Sequence, residues 1–324
     1  MTGADTRADG RLRLTILGGY LGSGKTTWLR HQLYHGRFGR AHILVNEAAE
    51  TPVDDTLLQQ HAAGMTLLAG GCACCAGQPE LLKSLRHLCD HRSRVASDSA
   101  RLERIVLETS GLADPGTIAA AIQADPMLVH HILLDEIIVL ADAVNIIHQL
   151  GTEHLGRAQI EAADRIILTK VDAQLSGAFS AVYATLSQLN PGASITSAVK
   201  GEEIDPSVDK AVSPIPLPAL GELADLAAIE PTRLKIDNSV DWAAFSVWLS
   251  ALLHARGNDI VRVKGVFDTP AGFLLLQGVR NSVQAPEILP SSSTQRANEI
   301  VFIGRNFAKD DLGKSLEYFS LRTG

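Results

Sequence analysis

Short apolar runs recur along the first two-thirds of the chain: Leu12–Leu17, His42–Val45, Met65–Leu68, Arg104–Leu107, Glu136–Leu140, Arg165–Leu168 and Ala193–Thr196. They are rich in Ile, Leu and Val and do not alternate with polar residues, the pattern of strands buried on both faces. Stretches with helical spacing, Thr26–Leu33, Glu80–Leu88 and Arg157–Ala163, lie between them. Strands alternating with helices predict an α/β domain, a mainly parallel sheet with helices on both sides. The pattern changes after Lys200. Residues 201–230 hold four prolines and seven acidic residues against one basic residue, Lys210, which reads as a solvated linker. Beyond it, Arg233–Ile236, Ile260–Phe267, Phe273–Val279 and Ile300–Ile303 read as strands. Asp241–His254 reads as a helix with Trp242, Phe245, Leu249 and Leu252 at three- and four-residue spacing, and Lys309–Phe319 as a last helix. The expected organisation is a disordered polar start over 1–11, the α/β domain over 12–200, a Pro-rich acidic linker over 201–232 and a smaller α+β carboxy-terminal domain over 233–324.

Composition narrows the classes of function. With 324 residues and 46% hydrophobic content, two domains can each bury a core. A formal charge of −7 argues against nonspecific binding to nucleic acid or to anionic membranes, which rests on excess Lys and Arg. No apolar run approaches the ~18 residues of a membrane span, and Met1–Gly10 has no apolar signal core. The expectation is a cytoplasmic protein that engages neither nucleic acid nor membrane.

Gly19-Tyr20-Leu21-Gly22-Ser23-Gly24-Lys25-Thr26 fits G-x-x-x-x-G-K-[ST] in full, between a strand and a helix. Gly19, Gly22, Ser23 and Gly24 permit a tight loop whose backbone N–H groups point inward, and the helix N-terminus adds positive partial charge. Lys25 can reach the β- and γ-phosphates, and the Thr26 hydroxyl can bind Mg²⁺. Thr27 either helps at the phosphates or caps the helix. Such a loop needs an acidic partner at a nearby strand end. Glu108 supplies it after Arg104–Leu107, and Gly111 would let a backbone N–H approach the γ-phosphate. Farther on, Thr169-Lys170-Val171-Asp172 resembles the N-K-x-D signature for guanine. One carboxylate, Asp172, accepts both N1–H and the N2 amino group of guanine, a donor pair adenine lacks. Lys170 would lie along the base, and Thr169 replaces the usual Asn with a hydroxyl.

Three of the four cysteines, Cys72, Cys74 and Cys75, stand within four positions after Gly70-Gly71. Clustered thiols in a reducing compartment favour metal binding over redox or packing roles. Thiolates suit Zn²⁺, and a shell completed by water or another residue suits a metal that must leave. Cys89 reads as core. The pairs His31/His35 and His87/His91, each at i, i+4, read as solvated helix faces.

In this combination the chain resembles the CobW-type P-loop GTPases, a SIMBI-class family that includes zinc-regulated metalloprotein activators. The likeness runs through Gly19–Thr26, Gly71-Cys72-Ala73-Cys74-Cys75, Glu108-Thr109-Ser110-Gly111-Leu112-Ala113-Asp114-Pro115, Gln159–Asp172, Leu189-Asn190-Pro191-Gly192-Ala193, Arg262-Val263-Lys264-Gly265 and Leu276-Gln277-Gly278-Val279. The resemblance implies a GTPase with Glu108, Lys25 and Gly111 at the reaction centre and GTP or GDP with Mg²⁺ as ligands. It implies a metallochaperone or insertase that loads Zn²⁺, Co²⁺ or a related ion such as Ni²⁺ into a client metalloenzyme. The cysteine loop would be the transfer site, Glu47 a further candidate ligand, and the small domain a docking surface; a homo-oligomer stays open. One departure is visible. Where the family has N-E-F-G-E-x-G-x-D, this chain reads Asn46-Glu47-Ala48-Ala49-Glu50-Thr51-Pro52-Val53-Asp54, and loss of two glycines to Ala49 and Pro52 stiffens a switch. Two other classes remain in play: a P-loop kinase or ligase acting on a small molecule, which should prefer ATP, and a non-enzymatic nucleotide-dependent metal sensor, which should bind GTP without turnover.

Overall fold

The computed structural model describes residues 10–45, 62–68, 77–94, 102–173, 176–205, 207–209, 211–218, 220, 230–236, 242–257, 259–269, 272–279, 282–283, 286–288 and 298–320. The chain divides into two compact units, with Arg11–Asp225 as the larger and Leu226–Gly324 the body of the smaller.

In the larger unit the strands are β1 (Leu12–Gly18), β2 (Ala41–Val45), β3 (Gly64–Leu67), β4 (Arg104–Glu108), β5 (Ile132–Asp142), β6 (Arg165–Thr169), β7 (Ser194–Val199) and β8 (Glu202–Ile204). The helices are α1 (Lys25–Tyr34), α2 (Gln78–Arg94), α3 (Pro115–Ala124), α4 (Leu128–His131), α5 (Ile146–Thr152), α6 (His154–Ala162) and α7 (Ser176–Leu189). The sheet order is β3-β2-β4-β1-β5-β6-β7-β8. Every pairing is parallel except β7 with β8. Leu14, Ile16, Ile105, Val106, Ile137 and Ile166 are fully buried, so the unbroken apolar runs mean what they predicted. After β1 the chain builds outward on one side through β2 and β3, then returns to place β4 and β5 on either flank of β1. That reversal opens a crevice at the carboxyl end of β1, where ligands bind in open α/β sheets.

Two elements exceed the sequence expectation. β5 begins at Ile132, because the acidic pair Asp135-Glu136 does not end it. Asp135 sits where the β1–β5 register shifts between Leu14 and Thr15, and it accepts from Arg13 at 2.9 Å and Arg104 at 2.5 Å. Opposite charge at the strand ends makes an acidic residue tolerable there. The expected solvated linker is also partly folded. Lys200 and Gly201 are both left-handed, φ 51° and 96°, as a two-residue hairpin turn requires, and β8 pairs back onto β7. Glu203 on β8 accepts from the Trp28 indole N–H at 3.2 Å and lies 3.3 and 3.4 Å from Arg37 and Arg165. The Gln32 amide donates to Gly201 O at 2.9 Å. The next residues stay on this unit: Asp209 N donates to Ser180 Oγ, Ile215 N donates to Thr185 Oγ1, and Arg157 donates to Pro218 O.

The smaller unit is an antiparallel sheet, β12 (Ser282–Val283), β11 (Gly272–Val279), β10 (Ile260–Thr269), β14 (Glu299–Gly304) and β9 (Glu230–Lys235) in that order, with β13 (Glu287–Ile288) beside β11. β14 alternates between half-buried and buried residues, so one face of the sheet carries the core. Helices α8 (Trp242–Arg256) and α9 (Lys309–Ser320) pack there through Phe245, Trp248, Leu249, Leu253, Leu312 and Leu316 against Val263, Phe267, Ile300 and Phe302. The inward stripe of α8 includes Trp248 and Leu253, while Trp242 at its start stays 40% exposed, edge-on to Phe245 and Phe267.

If Glu203 anchors β8 to α1, Glu203→Ala leaves the buried Trp28 N–H without its acceptor. The expected loss is roughly 1–3 kcal/mol, or about 2–4 °C of Tm per kcal/mol for a unit of this size. Calorimetry checks it, and an unchanged Tm would mean that β8 is merely draped on the sheet.

Candidate nucleotide-binding site

The loop after β1 is bent by necessity. Gly19, Gly22 and Gly24 have φ of 129°, 72° and 88°, values that L side chains rarely adopt. A Cβ on Gly19 would lie 2.2 Å from the Leu140 carbonyl, so β5 presses directly on the turn. Ser23 N donates to Tyr20 O at 3.2 Å and closes the loop. Lys25 is 6% exposed, and its ammonium donates to Gly19 O at 3.0 Å and Tyr20 O at 3.2 Å, which stations it across the loop. Ser23 Oγ is buried with no partner among the described residues, as a hydroxyl reserved for a ligand would be. Thr27 lies on the exposed side of the first turn.

Glu108 ends β4 at 1% exposure, level with Leu17 of β1 and Val45 of β2. Its Oε1 accepts from the Thr26 hydroxyl at 2.6 Å. The expected acidic partner therefore meets the expected Mg²⁺ hydroxyl, and the two supply the oxygen donors a hard cation prefers. Behind Glu108 the chain is fastened residue by residue. Thr109 donates from N and Oγ1 to Leu17 O at 2.9 and 3.1 Å. Gly111 lies so close to the cradle that a Cβ there would meet Leu21 N at 2.6 Å. Asp114 caps α3 by accepting from Gly116 N at 2.8 Å and Thr117 Oγ1 at 2.7 Å, with Pro115 at the first helical position.

The candidate base-recognition end is fixed to the same loop. Thr169, 6% exposed, has its hydroxyl 2.8 Å from Ser23 O and 3.3 Å from Ala141 O. A hydroxyl has one proton, and the shorter contact takes it, so Thr169 is a strut from β6 to the cradle. Lys170 is left-handed, φ 57°, and its ammonium lies 2.7 Å from Asp142 Oδ2. Asp142 also accepts from Asn145 Nδ2 and Val144 N, each at 2.9 Å. Burial opposes its charge, but the hydrogen bonds from Lys170, Asn145 and Val144 N and the Lys170 charge prevail, and its pKa is lowered. The pair is therefore complete above the ordinary Asp pKa and is lost only as pH falls through the depressed one. Asp172 is exposed on a 3₁₀ turn, Val171–Ala173, open to a ligand's edge.

Cys72, Cys74, Cys75, Glu47 and the segment Asn46–Asp54 lie outside the described residues. β2 and β3, the strands that precede the two segments, are parallel neighbours. Among the described residues there is no cluster of three or more metal-ligating side chains. Cys89 is 3% exposed; burial, then the nearby Asp90, pushes its thiol up to about 11, so it is a core residue and no thiolate. His31 and His35 stack with ring centroids 4.2 Å apart, and the His35 ring bonds to His31 O; His87 and His91 are exposed. Sequence reasoning missed the role of Asp142, whose only signal was its place at a strand end opposite Lys170. It also missed Tyr20, whose hydroxyl donates to Glu153 Oε1 at 2.7 Å and ties the cradle to α6.

The fold and this crevice define a P-loop nucleotide-binding protein with an appended α+β domain. Residues 13–197 match the CobW/HypB/UreG nucleotide-binding domain, and residues 229–320 match the cobalamin synthesis protein CobW C-terminal domain. The chain belongs to the CobW/HypB/UreG family. It is 30% identical to the zinc chaperone YjiA of Escherichia coli over 93% of this chain and 96% of that protein. It is 28% identical to zinc-regulated GTPase metalloprotein activator 1 of Schizosaccharomyces pombe over 90% and 82%. A Zn(II)-bound triple mutant of the YjiA GTPase superposes with a TM-score of 0.60 at 26% identity, covering 95% of this chain and 99% of that one.

Two substitutions separate strut from reader. Thr169→Val keeps the shape and removes the donor to Ser23 O; it should weaken GTP and ATP together, by about tenfold for a lost buried hydrogen bond worth ~1.4 kcal/mol. Asp172→Asn should weaken GTP and GDP alone. Competition calorimetry with both nucleotides distinguishes the two, and equal selectivity loss in both variants would place Thr169 at the base.

Proposed function

We propose that this chain is a GTP-hydrolysing metallochaperone that carries Zn²⁺ or a Co²⁺-like ion on its Cys72-Ala73-Cys74-Cys75 loop and passes it to a client metalloenzyme. The chain is a GTPase by family, and the observation that carries the reading is the Thr26–Glu108 hydrogen bond at the mouth of the cradle. It joins the helix that begins the phosphate site to the strand end that carries the acid. GTP with Mg²⁺ supplies the phosphoanhydride and the cation charge. The cradle fits that ligand: the loop leaves no room for a side chain at Gly19, and Ser23 Oγ is buried and unmatched among the described residues.

Within this frame each residue has a task. The backbone N–H groups of Gly22–Thr26 and the Lys25 ammonium hold the β- and γ-phosphates. Thr26 Oγ1 faces the cation. Glu108 positions the cation's shell or the attacking water, and the Gly111 N–H meets charge that grows on the γ-phosphate as water adds to phosphorus and the bond to the bridging oxygen breaks. Lys170, held by Asp142, lies along the base while Asp172 accepts N1–H and N2–H. The products are GDP and phosphate. Metal is cargo: the thiolates of Cys72, Cys74 and Cys75 hold it, Glu47 is a further candidate ligand, and nucleotide state controls its release. The names of the relatives, a zinc chaperone and a zinc-regulated GTPase metalloprotein activator, support the cargo and the coupling.

Two measurements test this. Glu108→Gln should spare GDP affinity and slow GTP turnover, about 10²-fold or more for a group acting in the transition state; unchanged turnover defeats the assignment, and a wild-type preference for ATP would favour a kinase. In a Zn²⁺ titration against a competing chelator, affinity should differ between the GTP-analogue and GDP states by roughly 5- to 150-fold, with Zn²⁺ shifting nucleotide affinity by the same factor. It should fall with pH because protons compete for thiolates. Cys74→Ser and Cys75→Ser should abolish the difference. Equal affinity in every state would leave a GTPase with no metal switch.

A further inference from the structure

Gln159, on α6, is 1% exposed. Its amide Nε2 donates to two carbonyls of the segment behind Glu108, Ala113 O at 2.8 Å and Gly111 O at 3.2 Å. Both protons of the amide are thereby spent on one short loop. The Gly111–Leu112 peptide is held at both ends, since Leu112 N donates to Ser110 Oγ at 3.3 Å while Gln159 holds the Gly111 carbonyl. On its other side Gly111 has no room to retreat, because Leu21 N lies 2.6 Å from where a Cβ would stand. The helix that carries Gln159 is itself tied to the cradle, through Glu153 and the Tyr20 hydroxyl. The Gly111 N–H lies in the preceding peptide plane, whose Ser110 carbonyl accepts from Ala113 N at 3.0 Å, so Gln159, by holding Gly111 O and Ala113 O, fixes the turn that carries that N–H.

We infer that Gln159 is a positioning residue for hydrolysis: its amide fixes the Ser110–Ala113 turn so that the Gly111 N–H points at the γ-phosphate position. The inference rests on the GTPase reading above. A side chain that only filled the core would need no donor, and one that only satisfied loop carbonyls would affect stability without separating binding from turnover. Gln159 acts when the γ-phosphate is present, so GDP affinity is indifferent to it and the rate constant of hydrolysis is not.

The full chain is assayed for GTP turnover and GDP affinity as wild type, Gln159→Leu and Gln159→Glu. Gln159→Leu removes both donors and should lower kcat at least about tenfold, in line with the sensitivity of positioned groups to small misplacement. KM for GTP and the GDP Kd should stay within about threefold of wild type. Gln159→Glu adds a signature that packing does not give. The ionised carboxylate faces two carbonyls with no proton to offer, whereas the protonated acid can donate one, and burial favours the protonated form. The ratio of its kcat to that of wild type should rise as pH falls from 8 to 5, while the ratio for Gln159→Leu stays flat. If Gln159→Leu does not fold, the pH profile of Gln159→Glu decides alone. A wild-type kcat in Gln159→Leu, or a flat ratio for Gln159→Glu, overturns the inference while wild-type turnover persists. Absence of turnover in wild type would instead overturn the GTPase reading.

Discussion

The tightness with which the chain leaves β1 governs the rest of the molecule. Gly19 passes so near the Leu140 carbonyl that no Cβ fits between them, and β1 is held between β4 and β5 by parallel ladders along most of its length. The loop has one way to turn, over the carboxyl edge of the sheet and into α1. Lys25 and Thr26, which follow it, are then held by Gly19 O, Tyr20 O and Glu108. A looser exit would leave the same residues with the same chemistry and no fixed target. The three left-handed glycines pay for that precision in conformational entropy, and the buried strands on either side supply what offsets it.

Three struts extend the cradle into a site with two ends. Thr169 reaches back from β6 to Ser23 O, so any shift of the phosphate loop is felt where the base would lie. Glu108 closes on Thr26 from β4. Tyr20 reaches Glu153 at the start of α6, the helix whose Gln159 holds the loop beyond Glu108. Each strut crosses between elements far apart in the chain, and each ends on a main-chain oxygen or a carboxylate. Such contacts are directional. They hold angles as well as distances, which apolar packing alone does not.

The sheet also ties α1 to the chain that leaves the larger unit. Trp28 follows Lys25 by one turn of helix and donates to Glu203 on β8, while Gln32 holds Gly201. The acidic, Pro-rich composition that suggested a solvated linker was correct about chemistry and wrong about placement for residues 201–204. A single half-buried acceptor for an indole N–H, with Arg37 and Arg165 beside it, outweighs the polar character of the strand. The smaller unit follows simpler rules: an antiparallel sheet with alternating burial, two helices on one face, and a core rich in aromatic rings meeting edge to face.

What the residues alone determined was local. The phosphate loop was legible because its glycines, its Lys-Thr pair and its strand-to-helix setting act within a dozen positions. Glu108 was legible as an acid ending an apolar run, Cys89 as core, and the parallel sheet from unbroken apolar strands. The tertiary structure decided every partner. It brought Thr26 to Glu108 across 82 positions, fastened Thr169 to Ser23, gave Lys170 its Asp142, and let β5 run through Asp135 by setting Arg13 and Arg104 beside it. Sequence pattern reports which groups want burial or a charge. Which atom satisfies each of them depends on strand order and register, and a hydrogen bond of one direction and about 3 Å cannot be assigned until those are known.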